Sequence, residues 1–113
     1  MNKKYYLTLD LKDDTRLIAE YEEVHRRIWP EIQESIVSAG IVQMEIFRMA
    51  TRLVMVMEVD DTFSFEKKAA ADAANPVVQE WETLMWKYQQ ALPNAKPGEK
   101  WMMMDKIFEL HSS

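Results

Sequence analysis

The stretch Ile41-Val-Gln-Met-Glu-Ile-Phe-Arg-Met-Ala-Thr-Arg-Leu-Val-Met-Val-Met-Glu-Val-Asp60 reads as two paired strands, 41–49 and 52–60, joined through Met49, Ala50 and Thr51. In the second, Leu53, Met55, Met57 and Val59 recur with a period of two and form one face. Val54 and Val56 make the opposite face largely apolar as well. A strand apolar on both sides is covered on both sides. Helices supply one cover; a partner subunit or a ligand supplies the other.

Working outward, Gly40 stops a helical segment that Pro30 opens, with Ile32, Ile36 and Val37 as its apolar stripe. Before it, Thr15 to about Arg27 continues as a helix, and Asp13 and Asp14 offer its N-cap. Residues 4–11 form a first strand, because Tyr5, Leu7, Leu9 and Leu11 alternate with polar neighbours. On the other side, residues 62–73 read as a short helix rich in Lys and Ala. Asn75 and Pro76 then cap and open a helix whose stripe is Val77, Val78, Trp81, Leu84, Met85 and Tyr88. Pro93, Pro97 and Gly98 mark a loop, Trp101 to Leu110 a closing strand, and His111 to Ser113 a tail. The order β–α–β–β–α–β is the ferredoxin-like α+β plan, an antiparallel sheet with helices on one face. At 113 residues, 1–113 is expected to be one domain with one core, which a dimer would reinforce.

Composition narrows the chemistry. There is no cysteine, which excludes disulfides, thiolate metal sites and cysteine nucleophiles. The net charge of −5 argues against nucleic acid and against an anionic membrane surface, and suits a neutral small molecule. No apolar run approaches the ~18 residues of a membrane span. Thr8, Asp10 and Lys12 interrupt any N-terminal leader, so a cytoplasmic location is expected. With only two glycines and no G-x-G-x-x-G, P-loop or G-x-S-x-G, phosphate cradles are absent. Two remote histidines make no zinc site. Neither metal nor cofactor is expected, and any reaction runs on side chains.

His111 lies in the tail and is expected to be inert; His25 is different. It stands four residues after Tyr21 near the end of the first helix, so both side chains share a face. An imidazole titrating near ~6.5 is the usual general acid–base group. Its structural alternative is a helix-end histidine satisfying nearby carbonyls. Trp29, Trp81, Trp86 and Trp101 are core candidates, yet aromatic rings also pack against the C–H faces of sugars. Tyr21, Gln43 and Glu45 would supply polar partners, while Trp86 and Trp101 are assigned to the core. Glu20, Glu22, Glu23, Glu31 and Glu34 read as solvated helix faces, with no glycosidase-like pair among them. Met102, Met103 and Met104 alternate faces of a strand and read as packing.

The segment Tyr21-x-x-x-His25-x-x-Ile28-Trp29-Pro30-Glu31 is followed by Gly40, two strands, Val78-Gln79-x-Trp81 and Ile107-Phe108-x-Leu110. This series resembles the L-rhamnose mutarotase family over nearly the whole chain. The resemblance implies a ferredoxin-like fold of the dimeric α+β barrel kind, with two sheets packed together in a homodimer. It implies an isomerase that interconverts α and β anomers of L-rhamnose without a cofactor. The family's catalytic histidine falls at His25 and its sugar-binding tyrosine at Tyr21. A ligand-contacting tyrosine of the second strand falls at Met44, and the tandem tryptophans fall at Trp81 and Glu82. The loop around Lys96 to Lys100 is longer than is typical. The expected site is therefore His25 and Tyr21 as catalytic groups, with Tyr21, Trp81, Trp29, Met44 and Glu82 around the sugar. His25 would handle the ring-oxygen proton, with Tyr21 orienting the sugar or relaying the second proton. The departures bear on which sugar binds, and the Met44 to Arg48 stretch admits L-fucose or another deoxy sugar. A cofactor-free monooxygenase of the same barrel class and a non-catalytic ligand-binding domain are the competing readings.

Overall fold

In the computed structural model, which describes residues 1–112, the chain runs β1 (Lys3–Leu11), α1 (Thr15–His25), α2 (Pro30–Ser38), β2 (Ile41–Met49), β3 (Arg52–Val59), α3 (Phe65–Ala73), α4 (Pro76–Trp86), β4 (Gln89–Gln90) and β5 (Met102–Met103). β1 pairs antiparallel with β3 in unbroken register from Lys3↔Val59 to Asp10↔Arg52. β3 pairs in turn with β2, giving the order β2-β3-β1-β4, with β5 also against β1. This is the ferredoxin-like antiparallel sheet expected from the pattern. One face carries Leu7, Leu9, Leu11, Leu53, Met57 and Val59, all buried beneath the helices.

The helix starts follow from local chemistry. Asp14 accepts hydrogen bonds from the Arg16 and Leu17 amides at 2.9 and 3.1 Å, opening α1. Asn75 does the same for Val77 and Val78 ahead of Pro76. Ser64 accepts from the Lys67 amide, so α3 starts at Phe65 rather than at 62. Gly40 has φ +98°, and a Cβ there would lie 2.6 Å from Asp60 Oδ1 and 2.7 Å from Thr62 Oγ1. Only glycine lets α2 turn into β2 so close to the end of β3, where the Asp60 amide donates to the Gly40 carbonyl.

The chain end differs from expectation. A strand over Trp101–Leu110 is replaced by two fragments on the same edge of β1. β4 lies opposite Asp10 and Leu11, and β5 opposite Leu7 and Thr8. Gln89–Gln90 occupy edge positions that the expected continuous strand would have filled, and residues 91–101 loop out between the fragments. Beyond the Met104 amide, which donates to the Tyr6 carbonyl at 2.8 Å, Ile107, Phe108 and Leu110 lie exposed. Their side chains are left uncovered by the described residues. Trp86 is also exposed, with the Lys100 ammonium 4.6 Å above its ring, because it points off the far side of α4. Its assignment to the core is corrected accordingly.

Candidate active site

α1 delivers Tyr21 and His25 one turn apart, their ring centroids 4.2 Å from each other. From α4, Trp81 meets His25 edge to face at 5.6 Å. Trp29, the N-cap residue of α2, stands edge-on against Trp81 at 5.1 Å. Such contacts add about 0.5–1.5 kcal/mol each beyond area burial and hold the rings in fixed orientations. Beside this aromatic cluster lies a cavity of about 370 Å³ between the helices and the inner face of the sheet. That volume lies within the range of small-molecule sites.

His25, Tyr21, Glu82 and Gln89 line one part of the cavity, while Ile36, Met44, Met57 and Phe63 make much of the rest apolar. Trp81 and Trp101 also line it. Trp101 was expected in the core; it packs against the core and walls the cavity at once, because the looped segment lays it over the gap. Trp29 is not in the wall and acts by bracing Trp81. Met44 faces inward because a bulge between Ile41 and Gln43 shifts the register of β2 by one residue. The same shift sends Gln43 and Glu45 to the exposed face, so they supply nothing to the cavity. Arg48 is occupied elsewhere, donating to the Ala50 carbonyl at 2.8 Å and pairing with Glu22. His111 pairs with Glu109 in the exposed tail.

The electrostatics follow from burial. His25 Nδ1 lies 2.8 Å from the Tyr21 carbonyl, which can only accept, so Nδ1 carries the hydrogen. The helix-end role is thus filled by one ring nitrogen and leaves Nε2 with a free lone pair. Burial pulls the His25 pKa below 6.5, offset in part by that backbone hydrogen bond, and the ring is neutral at pH 7. The Tyr21 hydroxyl is pushed up to about 12, chiefly by burial, with the Gln89 amide acting against the rise and the Glu82 charge adding to it. It holds its proton throughout the physiological range.

Tyr21 Oη and Gln89 Oε1 are both buried without a hydrogen-bond partner among the described residues. Leaving such groups unpaired costs about 1–3 kcal/mol each. Gln89 carried no sequence signal, since a polar residue just past an amphipathic helix reads as solvated. Glu82 is held by Lys100, whose Nζ lies 2.7 Å from Oε2 and 2.9 Å from the Glu82 carbonyl. This contact ties the long loop down onto α4. Among the described residues, no three His, Cys, Asp or Glu side chains group as metal ligands, and no helix is long and apolar enough to cross a membrane.

The family model for L-rhamnose mutarotase matches residues 4–110. The chain belongs to the L-rhamnose mutarotase family. It is thereby placed among sugar isomerases. It is 51% identical over 104 residues to an L-fucose mutarotase of Xanthomonas campestris pv. campestris, covering 90% of this chain and 83% of that one. To an L-rhamnose mutarotase of Enterococcus faecalis it is 27% identical over 96 residues, covering 81% and 85%. The solved structure of an L-rhamnose mutarotase from Formosa agariphila superposes with a TM-score of 0.70 at 19% identity, over 96% of this chain and 99% of that one. At that identity the superposition speaks for the fold alone, which is the one described above.

Proposed function

We propose that residues 1–113, acting as one domain, interconvert the α and β anomers of a 6-deoxy-hexose by opening and reclosing its ring without a cofactor. The observation that carries this reading is the single neutral imidazole on the cavity wall, with Nδ1 fixed and Nε2 available. The anomeric oxygen and the ring oxygen share one carbon, so one nitrogen can serve both. Nε2 takes the proton of the anomeric hydroxyl as the C1–ring-oxygen bond breaks. The imidazolium then returns that proton to the freed oxygen, leaving an open aldehyde. Rotation about the C1–C2 bond and the reverse steps close the ring on the other face. Acid–base assistance of this kind contributes roughly 10²–10⁴ in rate. A tyrosine with its pKa near 12 is poorly placed to surrender a proton but is a good hydrogen-bond donor, which favours the orienting role for Tyr21 over the relay.

Trp81 offers a ring for the sugar to stack on, and Met44 with its apolar neighbours suits a C5 methyl group. L-fucose comes ahead of L-rhamnose as the substrate because the chain is 51% identical to the Xanthomonas L-fucose mutarotase against 27% to the Enterococcus L-rhamnose mutarotase. The proposal includes a homodimer, supported by Tyr6 and Phe47 exposed on the outer sheet face beside half-buried Val54 and Val56. A cytoplasmic setting remains the expectation attached to it.

Anomer exchange measured by saturation-difference NMR on L-fucose, L-rhamnose, D-galactose and D-glucose tests the reading. The wild-type chain should exchange L-fucose or L-rhamnose well above the buffer rate, and His25→Ala should lose about 10²–10⁴ of that. Undiminished exchange in His25→Ala, or sugar binding with exchange at the buffer rate, would end it.

A further inference from the structure

We propose that Tyr21 Oη and Gln89 Oε1 form a two-point clamp for one ring hydroxyl of the sugar, and that Gln89 thereby determines which sugar is accepted. The inference deepens the mutarotase reading and rests on it. Gln89 is only 4% exposed, lines the same cavity as His25, and presents a carboxamide oxygen with no partner. The Gln89 amide approaches the Tyr21 oxygen, which leaves the phenolic hydrogen as a donor and Gln89 Oε1 as an acceptor close together on the wall of the cavity. A hydroxyl complements both, since its oxygen accepts from Tyr21 while its hydrogen goes to Gln89.

Both halves of the clamp are held firmly. The Gln89 backbone is fixed by its pairing with Leu11 and by the Lys12 amide, which donates to the Tyr88 carbonyl at 2.8 Å. The Tyr21 ring is wedged between His25 and Tyr88, the latter 5.9 Å away and edge-on. Groups fixed before the ligand arrives lose little freedom on binding it. The pair also discriminates, because a sugar with hydrogen or an apolar group at that position leaves both atoms buried and unpaired. The contact is made equally in the ground state and the transition state, so it governs KM more than kcat.

The test uses the full chain, the better exchanged of L-fucose and L-rhamnose, and the 2-, 3- and 4-deoxy analogues of that sugar. Gln89→Met, close in shape but without hydrogen-bonding groups, should raise KM on the order of 10²-fold and change kcat by less than about threefold. One deoxy analogue should be exchanged poorly by the wild type to a similar degree, and against that analogue Gln89→Met should cost nothing further. Tyr21→Phe should single out the same analogue. Because the substitution removes an unpaired buried oxygen, Gln89→Met should unfold at the same temperature as the wild type or higher. Uniform losses across all sugars together with a lower unfolding temperature would reduce Gln89 to a structural part and overturn the clamp. Unchanged kinetics would show that the two atoms hold only a water, and would overturn it too. A wild-type chain that exchanges no sugar brings down the mutarotase reading and the clamp with it.

Discussion

The two faces of the sheet are built from the same strands and come out differently. On the inner face Leu9 and Leu53 are wholly enclosed, with Leu7, Leu11, Met57 and Val59 around them. On the outer face Tyr6, Val54 and Val56 are interrupted by polar links, the Asp10–Arg52 ion pair and the Asn2–Glu58 hydrogen bond. Thr8 turns its hydroxyl back onto the Leu53 carbonyl at 2.8 Å. A period of two sorts side chains between faces but does not say what each face meets. The inner face meets helices, and where α1 and α4 part beside β4 it opens into a cavity with polar groups on its wall.

The largest effect expected from this contrast is on stability. Leu9→Ala should cost about 3–4 kcal/mol, since its methyl groups are fully packed and the helices above cannot collapse freely. Val54→Ala, on the other face of the neighbouring strand, should cost about 1 kcal/mol or less. Urea unfolding of both variants measures the difference. Similar losses would mean that the outer face is packed as tightly as the inner one, and the contrast would break.

A second expectation concerns the burial of His25 beside the inner cavity. Because the His25 pKa is lowered in the folded chain, exchange should fall on the acid side with an apparent pKa below 6.5. The fall approaches tenfold per pH unit once the imidazole is mostly protonated. No basic limb from Tyr21 should enter before the region of pH 12. Stability follows the same group. Between the two pKa values the unfolded chain binds more protons at this site than the folded one. His25 therefore destabilises the fold as pH drops through 6.5, the loss levels off below the folded value, and the site contributes nothing at pH 8. A pH–rate profile with its acid midpoint above 6.5 would place His25 in a wet or anionic setting, contrary to the geometry.

Much of this was legible in the sequence where the cause is local. Alternation in 4–11 and 52–59, the caps Asp14 and Asn75, and Gly40 before β2 each act within a few residues, so the sheet order and the helices followed. The spacing of Tyr21 and His25 put both on one helix face for the same reason. What was not legible depends on distant partners. The bulge at Val42 that turns Met44 inward and Glu45 outward is set by pairing with β3. The splitting of the last strand depends on β1 having room for Gln89–Gln90, and it brings Gln89 and Trp101 to the cavity from positions whose neighbours in sequence carry no signal. Trp29 shows the converse: adjacent to the right motif, it ended behind the wall.

The smallest expected change in chain stability tests what the outer face is for. Val56 lies midway along β3, opposite Tyr6 on one side and Glu45 on the other. Val56→Lys loses one cross-strand contact and some strand preference, together about 1 kcal/mol or less in an isolated chain. If two such faces pack together in the proposed homodimer, the same substitution places a desolvated ammonium in the contact, offset only by Glu45 across the strand, and a symmetric pairing does so twice. Sedimentation velocity should then show a wild-type dimer at micromolar concentration and a Val56→Lys monomer with its fold and urea midpoint nearly intact. A dimer indifferent to the lysine would place the interface elsewhere. A wild-type monomer at every concentration would leave the outer valines covered by nothing beyond their neighbours, and the two faces would differ only in degree.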